Sequence, residues 1–183
     1  HLSVPAWYLR KVPVRHITCM ETELVDKITL AHGSGGELSR ELVENEITKY
    51  LTNPILDRMD DSAVFELRGN IAFTTDSYVV NPIFFPGGDI GRLAVCGTVN
   101  DLSMCGASPL YLSLSFIIEE GFGGGDFEKI LTSIQEAAEE AGTIIVTGDT
   151  KVVNHGSADR IFINTSGLGL IPGDVNISGS NAI

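Results

Sequence analysis

Positive charge is scarce in this chain. Its 183 residues hold 12 lysines and arginines against 24 aspartates and glutamates, a formal net charge of −12. Nucleic-acid binding needs a basic surface, so a phosphate-backbone partner is excluded. An anionic membrane surface repels such a chain for the same reason. Long apolar runs are also missing: nothing approaches the roughly 18 apolar residues that a membrane-crossing helix requires. Cysteine is sparse, with Cys19, Cys96 and Cys105 forming no C-x-x-C pair. An odd count without regular spacing excludes a disulfide framework and places the chain in a reducing, cytoplasmic compartment. Cys96 and Cys105 read as small buried apolar residues. Four histidines and three cysteines in no ligand cluster leave zinc without a site. No Ser-His-Asp or Cys-His spacing marks a covalent hydrolase. The Gly-Lys-Ser/Thr of a phosphate-binding P-loop and the G-x-G-x-x-G of a dinucleotide fold are absent too.

What is present is a chain that is 43% hydrophobic with 20 glycines, a composition suited to one compact domain with a substantial core. Residues 1–19 differ from the rest. They are basic (Arg10, Lys11, Arg15), hold the only tryptophan and run into no signal-peptide apolar region. They read as a non-native or upstream leader, with Met20 as the natural first residue. Residues 20–172 form the domain. Residues 173–183 read as a fraying loop or the start of a second domain.

The periodicity predicts an α+β order. Ile28 to Ala31 is a short strand candidate, followed by Gly33-Ser34-Gly35-Gly36 and a helix whose apolar positions are Leu38, Leu42, Val43, Ile47, Tyr50 and Leu51. Ser34 and Glu37 have capping-box spacing, and Asn53-Pro54 stops the helix. Ala63 to Leu67 and Ile71 to Thr75 read as two strands of a hairpin turning at Arg68-Gly69-Asn70. Extended chain continues to Phe85, with Pro82 marking an edge or a break. Asp89 to Cys105 is a small-residue helix ended by Gly106. Leu110 to Ile118 is a strand. Asp126 is the N-cap of a helix closed by Gly142. Thr143 to Thr147 and Arg160 to Leu170 are further strands. Two helices then pack on one face of a mixed sheet.

The chemistry concentrates in aspartates embedded in apolar surroundings. Asp60-Asp61 precedes a strand candidate, Asp76 follows Phe73-Thr74-Thr75, Asn100-Asp101 lies in an otherwise small and apolar helix, and Asp149 stands in Gly148-Asp149-Thr150-Lys151 after Ile144-Ile145-Val146. Converging carboxylates repel unless a cation neutralises them. Hard oxygen ligands suit Mg²⁺, which is held by one or two carboxylates together with substrate phosphates. Each segment also has a plainer reading: a solvated turn at Asp60-Asp61, a solvent-facing Asp101, a strand-end ion pair at Asp149 and Lys151. Gly33-Ser34-Gly35-Gly36 before a helix lets phosphate approach backbone N–H groups, and a plain turn looks the same. His32 beside it is either a structural ring, a phosphate contact or a proton-transfer group. Lys151 is placed to neutralise phosphate or act as a base.

Four segments together resemble an ATP-binding superfamily. They are Ala31-His32-Gly33-Ser34-Gly35-Gly36, Thr74-Thr75-Asp76-Ser77-Tyr78-Val79-Val80, the run Phe85 to Asp101, and Gly148-Asp149-Thr150-Lys151-Val152-Val153. The superfamily includes aminoimidazole ribonucleotide synthetase, selenophosphate synthetase and thiamine monophosphate kinase, and the chain is most similar to its HypE-type hydrogenase maturation branch. His32 stands where a selenophosphate synthetase would carry cysteine or selenocysteine. The resemblance implies an aminoimidazole ribonucleotide synthetase-like α+β domain of a two-domain ATP-dependent carbamoyl dehydratase, paired as a homodimer through its sheets. It implies ATP and Mg²⁺, with Asp60, Asp61, Asp76 and Asp101 on the metal and phosphates. It implies that Gly33, Ser34, Gly35, Gly36, Asn100, Asp149 and Thr150 bind nucleotide, and that Lys151 and His32 are catalytic. The implied reaction turns a C-terminal cysteine thiocarboxamide into a thiocyanate. HypF loads the carbamoyl group, and a HypC–HypD scaffold receives the cyanide. Alternatives on the same fold are another ATP-dependent synthetase or kinase, or a dimerisation or docking module without activity.

Overall fold

A four-stranded mixed sheet carries the molecule, in the order β1-β6-β4-β5. The computed structural model describes residues 25–177. The leader expected over residues 1–19, Met20, Cys19 and the end of the tail lie outside the described residues. β1 (Asn70–Tyr78) pairs antiparallel with β6 (Ile161–Ile171), and β6 pairs antiparallel with β4 (Ser108–Glu119). β4 runs parallel to β5 (Ile144–Val153), which forms the opposite edge from β1. A parallel pair needs a crossover, here helix α4 (Gly124–Ala141). Helix α3 (Ile90–Met104) packs beside α4 and against β1, β6 and β4. The α+β architecture expected from the sequence is the observed one.

The core lies between α3, α4 and the inner sheet face. Phe127, Ile130, Leu131 and Ile134 of α4 and Ala94 and Val95 of α3 are fully buried, with Leu112, Phe116 and Ile118 opposite on β4. Phe116 and Phe127 meet edge to face at 5.2 Å between ring centroids. Gly97 lets α3 sit close to β1: a Cβ there would come within 2.4 Å of the Tyr78 hydroxyl. No described helix is long and apolar enough to cross a membrane.

The first helical segment is irregular. α1 (Glu37–Glu41) passes through a π turn, Leu42–Ile47, into α2 (Thr48–Leu51). A short ribbon, β2 (Phe84–Phe85) with β3 (Gly88–Asp89), precedes α3.

Several expectations are corrected. Ile28 to Ala31 is no strand; residues Leu30–Gly33 form a 3-10 turn. Ser34 does not cap α1, whose N-cap is Gly36, and its hydroxyl donates to the Ala31 carbonyl instead. Ala63 to Leu67 has the alternation of a strand but joins no ladder, and no hairpin turns at residues 68–70. Ala63, Phe65 and Leu67 pack on a small cluster around Leu110, Tyr111 and Val146, which explains the alternation without strand pairing. Asp126 lies inside the first turn of α4, whose N-cap is Gly123. β5 does not end at Thr147 but runs on to Val153, paired with β4 on both sides of a register shift at Val146. Cys96 and Cys105 are exposed, because both fall on the solvent side of α3 and its C-cap.

Candidate active site

A cavity of about 520 Å³ runs along the edge of β5, between the strand and the irregular helix. Three of the chain segments that line it carry the candidate residues. The glycine loop supplies His32, Gly33 and Gly35, the turn before β1 supplies Asp60 and Asp61, and β5 supplies Gly148, Asp149, Thr150 and Lys151.

The glycine loop reaches the strand because it has no side chain at the contact. A Cβ on Gly33 would lie 2.3 Å from the Val152 backbone nitrogen. Gly148 plays the same part under β5, where a Cβ would lie 2.2 Å from the Leu114 carbonyl oxygen. Ser39 holds the loop from behind: its hydroxyl accepts the Gly35 N–H at 2.8 Å and donates to the Ala31 carbonyl at 3.3 Å. His32 is buried, and its Nδ1 accepts the Thr29 N–H at 3.0 Å. The Thr29 hydroxyl lies 2.9 Å from the same nitrogen. A neutral ring bonded this way carries its proton on Nε2.

Asp149 and Lys151 stand two residues apart on one strand, so both project to the same side. The ammonium donates to Asp149 Oδ1 at 3.2 Å, with both side chains more than half exposed. An exposed pair of this kind contributes about 0.2–1 kcal/mol, so an anionic ligand can recruit the lysine at little cost. Asp60 and Asp61 are exposed and follow Met59, a non-glycine residue in the left-handed conformation at φ 54° and ψ 31°. That left-handed step ends the 3-10 turn Leu56–Arg58 and reverses the chain into the acidic pair.

The other two aspartates lie elsewhere. Asp76 is within β1 rather than at its end, and its Oδ1 accepts the Ser77 N–H at 2.8 Å. Asp101 is exposed on α3, and its Oδ2 accepts the Thr74 hydroxyl at 3.0 Å. Asn100 beside it is exposed too. The Tyr78 hydroxyl, on the same side of β1, is pushed up to about 12 by burial, against a hydrogen bond shared with Thr98, with Asp76 adding to the rise. Asp76 pairs with Thr165, Thr165 with Leu114, and Leu114 with Gly148. Three strand spacings of about 4.8 Å put β1 about 14 Å from β5. Neither Asp76 nor Asp101 lines the cavity. Among the described residues no group of three or more His, Cys, Asp or Glu side chains could enclose a metal ion.

Ser39, Asn53 and Met59 are the cavity-building residues that sequence reasoning passed over. Asn53 read only as a helix stop. Ser39 had a signal, a small polar residue four positions after Gly35 in the first turns of the helix.

The AIR synthase related protein, N-terminal domain, matches residues 59–171. Carbamoyl dehydratase HypE of Azotobacter vinelandii is 49% identical over 156 residues, covering 85% of this chain and 46% of its own length. A HypE solved in complex with ATP is 52% identical with a TM-score of 0.83, covering 85% of this chain and 46% of that one. HypE in a HypE–HypF complex is 57% identical with a TM-score of 0.62, covering 78% and 46%. The chain thus spans about half the length of the curated relatives it matches. With a family match over most of its described residues and a mixed sheet like that of the solved HypE structures, this chain belongs to the AIR synthase related protein family and carries its N-terminal domain.

Proposed function

We propose that this chain is the ATP-binding half of a HypE-type carbamoyl dehydratase, working in the cytoplasm as a homodimer in hydrogenase maturation. The observation that carries the reading is the meeting of glycine loop, acidic pair and Asp149–Lys151 in one cavity. The donor set suits Mg²⁺ with nucleotide: hard oxygens from two adjacent carboxylates, with phosphates completing the shell. Asp60 and Asp61 would hold the ion, which when bound neutralises phosphate charge and assists phosphoryl transfer.

The chain's own residues do the rest. Gly33, Ser34, Gly35 and Gly36 admit phosphate close to the backbone. His32 donates from Nε2 to a phosphate oxygen. Thr150 contributes its hydroxyl, and Asp149 orients Lys151, whose ammonium offsets negative charge on the transferring phosphoryl group. The oxygen of a cysteine-bound carbamoyl group attacks the γ-phosphorus and ADP leaves. The C–O bond then breaks, phosphate departs, two N–H protons are lost, and S–C≡N remains. HypF would load the carbamoyl group, a reading supported by the relative solved with HypF, and a HypC–HypD scaffold would receive the cyanide.

Pairing of two copies is supported by the outer sheet face, where Ile71, Phe73 and Ile117 are exposed. In the proposed dimer, Asp76 and Asp101 of one copy, with Asn100, approach the nucleotide bound in the other. Calorimetry with ATP in Mg²⁺ tests the core of the reading. Saturable binding is expected, and Lys151→Ala in the full-length protein is expected to keep it within about threefold while thiocyanate formation falls about a hundredfold. A dimer in sedimentation that binds no ATP would leave a dimerisation module instead.

A further inference from the structure

We propose that Asn53 is a positioning residue that sets the acidic pair Asp60-Asp61 against β5; the inference rests on the Mg-ATP reading of the cavity. Asn53 is 3% exposed, yet all of its side-chain hydrogen-bonding groups are used. Its amide donates to the Leu51 carbonyl at 3.1 Å and to the Ile145 carbonyl at 2.7 Å. Its oxygen accepts the N–H groups of Ile55 and Leu56, each at 3.1 Å. One side chain thereby ties the end of α2, the start of the 3-10 turn and the strand that bears Asp149 and Lys151. Asp57 braces the same corner by accepting the Asn53 N–H at 3.1 Å and the Thr52 hydroxyl.

As a hydrogen bond the tie to β5 stands by itself. Between residues 52 and 69 the chain joins no ladder, and among the described residues the Asn53–Ile145 bond is the one hydrogen bond from this segment to the sheet. The 3-10 turn then passes to Met59, whose N–H bonds the Leu56 carbonyl at 3.0 Å, and directly into Asp60. Ile145 lies on the cavity wall four residues before Asp149. The separation between the carboxylates and the Asp149–Lys151 pair is therefore set through Asn53, which does not itself line the cavity. Packing of Ile55, Ala63, Phe65 and Leu67 also holds the segment to the sheet, with Phe65 against Tyr111 at 4.4 Å between ring centroids, and the Asn53 bond adds the directional contact to β5.

Asn53→Ser isolates the tie. A serine hydroxyl can still accept the turn's N–H groups, as Ser does more weakly than Asn, but it is too short to reach Ile145. ATP affinity is measured on the 183-residue chain in Mg²⁺ and in EDTA. The variant is expected to lose about tenfold in Mg²⁺, which is one buried hydrogen bond at about 1.4 kcal/mol per decade, and less than about twofold in EDTA. Wild-type affinity in both media in a folded variant overturns the proposal and leaves the ATP reading standing. Equal losses in both media make Asn53 merely structural and overturn it too. A wild-type chain whose ATP affinity ignores Mg²⁺ sinks the metal reading itself, and this inference with it. Should the variant not fold, hydrogen exchange on the wild type decides. Mg-ATP is expected to slow exchange at Ile55–Met59 and at Ile145–Thr147 together, beyond ATP in EDTA. Slowing confined to the glycine loop would overturn the proposal.

Discussion

The two edges of the sheet carry similar acids in different settings. At the β1 edge Asp76 and Asp101 sit on a regular strand and helix, and each already accepts a local hydrogen bond, from the Ser77 N–H and the Thr74 hydroxyl. At the β5 edge Asp60, Asp61 and Asp149 border an open cavity with a glycine loop and a lysine. Irregular backbone builds that second edge: a 3-10 turn before the glycines, a π turn in the helix and a left-handed Met59. Regular elements satisfy their own backbone groups and present side chains at fixed spacing. Turns leave backbone and carboxylates free for a ligand, and loops on a rigid scaffold are where binding residues concentrate.

The sharpest test of this contrast is Asp60→Ala. Loss of a carboxylate on the proposed ion is expected to weaken ATP binding in Mg²⁺ by about a hundredfold while leaving binding in EDTA nearly intact, by calorimetry. Binding that survives Asp60→Ala but fails in Asp76→Ala would invert the ranking of the two edges.

Mixing variants probes how the edges meet. If Asp76 serves the nucleotide of a second copy, Asp60→Ala and Asp76→Ala homodimers both lose ATP hydrolysis in the full-length protein. Refolding them together in equal amounts is then expected to restore about a quarter of the wild-type sites, because half the random dimers each regain one of two. No recovery would mean that both residues act within one chain.

The smallest effect concerns the helix that walls the cavity. Glu46, within the π turn, is buried, and burial raises its carboxyl above the usual range, opposed by a hydrogen bond from the Val25 backbone. An acid raised on folding favours the native state below its unfolded pKa, and that contribution is lost as pH rises through the folded value. Glu46→Gln removes the penalty at high pH. Its melting temperature relative to wild type is expected to rise between pH 4 and pH 7. A pH-independent difference would show that Glu46 is charged without cost.

Much of this molecule was legible in its sequence. The small-residue helix with its Gly106 stop, the helix closed by Gly142 and the strands that became β4 and β6 all appear where spacing put them. The misreadings have physical causes. Alternation over Ala63 to Leu67 reports half-burial, which a packed extended segment shares with a strand. Gly148, Asp149 and Lys151 are poor strand formers, so β5 seemed to end early; pairing with β4 overrides that preference. His32 read as an open choice between ligand and structure, and its Nδ1 is committed to Thr29. Asn53 could not be found from spacing at all, because its bond to Ile145 joins residues 92 apart.

Whether Mg-ATP sits at the β5 edge is decided by a crystal structure with Mg²⁺ and a non-hydrolysable ATP analogue. A site at the β5 edge requires a metal within about 2.0–2.1 Å of an oxygen of Asp60 or Asp61, phosphates against Gly33–Gly36 and the Lys151 ammonium on the terminal phosphate. A metal bound by Asp76 and Asp101, with the β5-edge cavity of the same dimer empty, would contradict it.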